Sequence, residues 1–211
     1  MSEIKIHIFH TGKVCVAPEL PFGGEHCSAL RASGVLAKKS ERLWLPIPAY
    51  LIECAHGNVL FDCGWHRDMS PHSTFDRRAQ ICSPVNRIRC NADWWRGTKL
   101  RTFGWNDLMG PAGRSYNVFG DGMLVMVNIP GHSKGLCALR ITGEDGRFVL
   151  LCADGGYAKK SWEQMLLSGI ADDRAAQKKS LAWIRAQSQD QNCIACIANH
   201  DPDVEPHTIT L

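Results

Sequence analysis

Ile129-Pro130-Gly131-His132-Ser133-Lys134-Gly135 is the stretch on which the reading of this chain turns. An apolar run, Met123-Leu124-Val125-Met126-Val127-Asn128, leads into it, and the Pro-Gly pair ends that strand just before a histidine. The layout recurs at Leu151-Cys152-Ala153-Asp154-Gly155-Gly156-Tyr157 and at Ala198-Asn199-His200-Asp201-Pro202. Each segment offers one ligand-type side chain where a strand gives way to a loop. Two imidazoles and a carboxylate are donors that zinc accepts, and strand ends along one sheet edge are a common place for a site.

Outward from these segments the chain reads as runs of strands followed by helices. Ile4-Lys5-Ile6-His7-Ile8-Phe9 has period two and reads as an opening strand. Residues 17–41, rich in Gly, Pro and charge, read as a long loop. Pro46-Ile47-Pro48 leads into a strand at about 49–54, and His56-Gly57-Asn58 turns into another at 59–62, which ends at Asp62-Cys63-Gly64. From 70 to 115, prolines and glycines punctuate short polar runs, an odd length of irregular chain for a compact domain. Leu136–Thr142 and Arg147–Cys152 form a hairpin around Glu144-Asp145-Gly146. Two helices follow, at about 158–168 and from Asp173 to Gln189, the second capped by Asp172 or Asp173. Cys193-Ile194-Ala195-Cys196-Ile197-Ala198 is a short apolar strand that ends at His200.

The pattern indicates an α/β domain with its site along a sheet edge and leaves the topology open. The three ligand segments, with Tyr50-Leu51-Ile52-Glu53 and Val59-Leu60-Phe61-Asp62-Cys63-Gly64, resemble in order the landmarks of the metallo-β-lactamase fold. Within it they look most like the N-acyl homoserine lactonase branch. The resemblance covers about 45–66 and nearly everything from 115 to 211, including Ser161-Trp162-Glu163-Gln164-Met165. It implies one domain over 1–211, an αββα sandwich with two face-to-face sheets and helices outside. It also implies a dinuclear metal centre. Residue by residue, His132 matches a ligand of the first metal, Asp154 the bridging carboxylate and His200 the final ligand of the second. Tyr157 falls where such lactonases place a tyrosine beside the substrate carbonyl, its hydroxyl stabilising developing negative charge.

The departure is as plain as the match. The family's His-x-His-x-Asp-His cluster is nowhere in the sequence. The 70–115 segment stands where that cluster and its flanking helices belong, which reads as an internal deletion of four ligands and one βα unit. The remaining His132, Asp154 and His200 match the ligand count of a mononuclear zinc site. In the parent arrangement, however, the two histidines serve metals ~3.5–4 Å apart, whereas ligand distances tolerate only about ±0.2 Å. The expectation is one weakly held zinc ion, or none. His72 stands alone and reads as a surface residue, and His66 as a pocket residue without metal. His7, His10, His26, His56 and His207 have no metal-type spacing.

Composition narrows the classes further. A 211-residue chain that is 45% hydrophobic can bury a real core. No stretch approaches the ~18 continuous apolar residues of a membrane span, and the N-terminus lacks a secretory layout. A cytoplasmic protein without membrane or nucleic-acid partners is expected. Arg77, Arg78, Arg87, Arg89, Arg96, Lys99 and Arg101 crowd one stretch with Trp94 and Trp95. No nucleic-acid fold signature accompanies them, so they read as a solvated surface. The ten cysteines read as reduced small hydrophobes. Cys193 and Cys196, three apart on a strand, are expected on opposite faces. Cys82 and Cys90 flank the presumed junction. A hydrophobic loop at Leu43-Trp44-Leu45-Pro46 offers a contact surface for a homo-oligomer.

Two functions follow. The first is a metal-dependent hydrolase of lactones or esters, with metal-bound hydroxide attacking the carbonyl, Tyr157 stabilising the oxyanion and Asp154 anchoring metal and moving a proton. The second is a degenerate, non-catalytic homologue that serves as a binding or oligomerising module.

Overall fold

A computed structural model of the chain describes residues 3–64, 99 and 101–211. Among these the strands form two sheets. The first contains β1 (Lys5–Val16), β2 (Leu43–Cys54), β3 (Gly57–Cys63) and β9 (Thr208–Thr210), in the order β3-β2-β1-β9. The second contains β4 (Ser115–Asn117), β5 (Leu124–Asn128), β6 (Cys137–Thr142), β7 (Phe148–Leu151) and β8 (Cys193–Ile197), in sequence order. The helices are α1 (Glu19–Phe22), α2 (Ala29–Ala32), α3 (Lys159–Glu163) and α4 (Arg174–Ser188).

The alternation of side chains explains the layers. Ile4, Ile6 and Ile8 meet Tyr50, Ile52, Leu139, Ile141, Val149 and Leu151 between the two sheets. Phe148 and Leu150, the alternate residues of β7, point the other way and pack with Trp162 of α3 and Leu181 and Ile184 of α4. All four residues of β7 are buried, which is why Phe148-Val149-Leu150-Leu151 is apolar without a break. The first sheet's outer face carries Phe9 and Leu60, which are 47% and 61% exposed. The second helical layer expected of an αββα sandwich is not found over that face among the described residues. No helix among them is long and apolar enough to cross a membrane.

Several elements run beyond the sequence expectation. β1 continues past Phe9 to Val16 through a register shift between His10 and Gly12. β2 starts at Leu43, although Pro46 and Pro48 mark a strand boundary in the sequence. The reason is that β3 pairs with β2 only as far as Ala49. Beyond that point β2 has one neighbour among the described residues, and a proline's missing N–H is tolerated on such an edge. Leu43–Pro46 is therefore strand and not a loop; Leu45 is buried and Trp44 is its exposed residue. β4 and β9, three residues each, carry too little pattern to be read from sequence.

The 17–42 segment is more ordered than a loop. It holds α1, α2 and a short 3-10 turn at Lys39–Glu41. Arg174, the first residue of α4, ties it down by donating to the carbonyls of Gly24 at 2.8 Å, Glu25 at 2.5 Å, Cys27 at 2.6 Å and Gly169 at 3.0 Å. A planar guanidinium can serve several carbonyls at once, which an ammonium cannot. Arg174→Ala should cost about 3 kcal/mol in urea unfolding, from charged hydrogen bonds worth roughly 1.5–3 kcal/mol and orphaned carbonyls. Arg174→Lys should recover only a minor part.

Candidate metal-edge site

β5–β6 and β6–β7 are antiparallel, while β7–β8 is parallel. β5, β7 and β8 therefore run the same way and end at one edge of the sheet. His132 follows β5, Asp154 follows β7 and His200 follows β8, so the topology alone gathers the three residues that the sequence singled out.

Each is held differently. The loop carrying His132 is gripped by α4: Asp173 N–H donates to the Gly131 carbonyl at 3.0 Å, Asp172 N–H to the His132 carbonyl at 3.3 Å, and Ser180 Oγ to the Pro130 carbonyl at 2.7 Å. Gly131 has φ 140°, and a Cβ there would fall 2.3 Å from Gln177 Cα, so only glycine permits this approach of loop to helix. Asp154 lies in a 3-10 turn entered through Ala153, whose φ is 47°. That left-handed conformation is costly for alanine and marks backbone held by its surroundings. His200 donates from Nδ1 to the Pro46 carbonyl at 2.7 Å. Its neighbours bind elsewhere: Asn199 donates to Asp62 at 2.8 Å and accepts from the Tyr50 hydroxyl at 3.1 Å, while Asp201 accepts from Lys159 N–H at 2.7 Å. Three successive side chains thus lock one turn to β2, β3 and α3.

The two imidazoles address different oxygens of one carboxylate. His132 Nε2 is 3.7 Å from Asp154 Oδ2, and His200 Nε2 is 3.2 Å from Asp154 Oδ1. A carbonyl only accepts, so His200 Nδ1 carries a proton and its Nε2 faces Asp154. In a neutral imidazole that would oppose two sets of lone pairs, a repulsion that a proton or a metal cation relieves. Burial alone would lower the His200 pKa, but the Asp154 contact and the Pro46 carbonyl outweigh it and raise it above 6.5. Burial would likewise raise Asp154, yet His200, His132 and Asn199 hold its carboxyl below 3.8. Tyr157 closes the site, its ring stacked on His200 at 5.2 Å and edge-on to His132 at 5.9 Å. It is 8% exposed and packs with Val16, Leu20 and Leu45.

The donor chemistry suits zinc, but the described residues do not complete a site for it. Among them no group of three His, Cys, Asp or Glu side chains is placed to hold an ion. Among the described residues, His132 Nδ1 is buried without a hydrogen-bond partner, and Asp154 Oδ1 receives no well-aligned hydrogen bond despite the nearby imidazole. Metal-bound histidines normally anchor their second nitrogen, as His200 does and His132 does not. The expectation at His132, Asp154 and His200 is one weakly held zinc ion or none, and the described residues leave it open.

The remaining expectations divide. His56 meets Asp121 at 2.6 Å and His7 meets Thr208 at 2.9 Å, both away from the site. The described cysteines are free thiols. Cys193 and Cys196 share one face instead of lying on opposite ones, because a register shift leaves Ile194 unpaired between Cys193 and Ala195. His66, His72, Cys82, Cys90, Trp94, Trp95 and the arginines from 77 to 96 lie outside the described residues. Sequence reasoning missed Asp62, Asn199, Tyr50 and the Pro46 carbonyl as supports. The polar run Asn199-His200-Asp201 closing an apolar strand was the available signal.

No family model matches the chain. It is 28% identical over 99 residues to the N-acyl homoserine lactonase AttM of Rhizobium radiobacter, covering 47% of this chain and 37% of that protein. The matched part is thus well under half of the relative's length. Among solved structures, a quorum-quenching N-acyl homoserine lactone lactonase superposes with a TM-score of 0.60 at 16% identity, over 94% of this chain and 92% of that one. AidC, a dizinc quorum-quenching lactonase, gives 0.56 at 10% identity, over 96% and 89%. The chain has the metallo-β-lactamase fold. Within that fold it resembles the N-acyl homoserine lactonase branch.

The opposed shifts of His200 and Asp154 fix a pH window for the chelated protein. The raised His200 pKa contributes stability that is complete below 6.5 and lost as pH rises through its folded value. The lowered Asp154 pKa contributes stability present above 3.8 and lost as pH falls through its folded value. In thermal unfolding with chelator present, the Tm advantage over His200→Gln should be largest between these limits and shrink on both sides.

Proposed function

We propose that this chain is a lactonase- or esterase-like hydrolase homologue whose substrate is a small lactone or ester seated over Asp154. The observation that carries this reading is the convergence of His132, Asp154, Tyr157 and His200 at one sheet edge. The similarity to N-acyl homoserine lactonases supports the substrate class. Tyr157 points to the carbonyl oxygen as the group it would contact, because a phenol donates a hydrogen bond to an oxygen that gains charge as the carbonyl is attacked. Asp154, held charged by His200 and His132, would accept a hydrogen bond from the attacking water and pass its proton to the leaving alkoxide, although the partners that keep it charged also weaken it as a base. The balance is one lactone and one water to one hydroxy acid. Zinc, if bound here, would be held by His132, Asp154 and His200 and would polarise the carbonyl and the attacking water. The setting is cytoplasmic, with a diffusible substrate and neither membrane nor nucleic acid as partner.

Among the described residues, the unpartnered His132 Nδ1 and the incomplete donor group favour a second reading, a non-catalytic homologue. One experiment separates the two. The protein is loaded with zinc or manganese and desalted, its metal content is measured by mass spectrometry, and it is assayed on an acyl homoserine lactone and an aryl ester. The hydrolase reading expects chelator-sensitive hydrolysis with retained metal. It also expects a kcat roughly 100-fold lower in Tyr157→Phe, the scale for losing one oxyanion donor. Neither metal nor turnover would leave the non-catalytic reading standing.

A further inference from the structure

Away from that edge the structure gathers sulfur. The register shift at Ile194 turns Cys193 and Cys196 to the same side of β8, where both pack against the core that holds fully buried Cys152. Cys152 Sγ and Cys196 Sγ are 3.3 Å apart. Beside β8, the last strand of its sheet among the described residues, runs a cleft of about 840 Å³ lined by Cys193 and Cys196 together with Lys159, Trp162, Glu163 and Arg185. Neither His132, Asp154 nor His200 lines it. Cys196 is half-buried and among the residues lining this space, its sulfur against that of Cys152, which follows β7 on the core side.

We propose that Cys152 and Cys196 form an oxidation site: a peroxide entering the β8 cleft oxidises Cys196 to a sulfenic acid, and Cys152 then closes a disulfide between the ends of β7 and β8. In the first step the Cys196 sulfur attacks one peroxide oxygen and the O–O bond breaks. With hydrogen peroxide, the other oxygen leaves as water, taking up the thiol proton. In the second step the Cys152 sulfur displaces the hydroxyl from the sulfenic sulfur, and that hydroxyl departs with the Cys152 proton as a second water. Two thiols are oxidised by two electrons and one peroxide is reduced. The sulfurs must close from 3.3 Å to about 2.05 Å, a shift within reach of rotamer adjustment.

The division of labour follows from access. Cys152 is fully buried, whereas Cys196 is half-buried and among the residues that line the cleft. A fully buried thiol is a poor first target for a peroxide but an adequate resolving partner beside an oxidised sulfur. Cys152 stands two residues before Asp154, and Cys196 four before His200. The disulfide therefore staples the two strands that deliver the site, and oxidation has a route to it without touching it.

The alternative is three thiols that act only as small core hydrophobes. The full-length, reduced protein is exposed to hydrogen peroxide under native conditions, alkylated and peptide-mapped without reductant. The proposal expects a Cys152–Cys196 linked peptide, an intact mass lower by two hydrogens, and full reversal by reductant. Cys193→Ser should form the same link and Cys196→Ser should not. A Cys193–Cys196 link, Cys196 accumulating as sulfinic acid while Cys152 stays free, or thiols that remain unmodified would each overturn it. The wild-type map decides this even if a variant fails to fold.

Discussion

The parallel pairing of β7 with β8 is the constraint on which the rest depends. A parallel neighbour requires a crossover, and α3 and α4 supply it, packing Trp162, Leu181 and Ile184 onto Phe148 and Leu150. Because β5 runs the same way, three strand ends reach one edge, and the residues after them meet with little further design. An antiparallel β8 would carry His200 to the far end of the sheet. The same pairing contains the register shift at Ile194, so one irregularity decides both where the strand ends and which way its cysteines face.

The polar tie between the sheets is the second determinant. Tyr50 is fully buried, and burial, with Cys152 and the carboxylates of Asp62 and Asp154 nearby, pushes its phenol far above the ordinary range. It remains a donor at any relevant pH and gives its hydrogen bond to Asn199, which in turn donates to Asp62. Buried polar groups cost free energy unless they are partnered, and here each link satisfies the next. Asp62 itself has φ 53° at the end of β3, a conformation that aspartate tolerates better than most residues. The chain Tyr50–Asn199–Asp62 therefore fastens the turn before His200 to the opposite sheet.

Much of this was legible in the sequence where a local signal was strong. Asp173 reads as a helix cap and accepts from Ala176 N–H at 2.9 Å. The three strand-end segments announce a shared edge, and the structure puts them there. What failed to read is non-local. Pro46 and Pro48 look like a strand boundary because the sequence does not say that β3 stops pairing at Ala49. Cys193 and Cys196 look opposed because a regular strand has period two, and nothing in Cys-Ile-Ala-Cys betrays the extra residue. Tyr50 in an apolar run looks like ordinary core, since its hydrogen-bond partner lies 149 residues away.

The two histidines of the edge are supported unequally. His200 is fixed through Pro46, its neighbours and the stacked Tyr157 ring, so its Nε2 cannot turn away from Asp154. His132 is positioned through its backbone, by α4 and Gly131, while its Nδ1 is buried without a partner among the described residues. Its ring is held by contacts, edge-on to Tyr157 at 5.9 Å and with Nε2 3.7 Å from Asp154 Oδ2, so ordering it further around a ligand costs side-chain entropy. Binding at the Asp154–His200 side thus begins from a preorganised pair, whereas recruiting His132 must include that ordering cost. The electrostatics of the edge are set by that pair, whose close approach raises the His200 pKa and lowers that of Asp154.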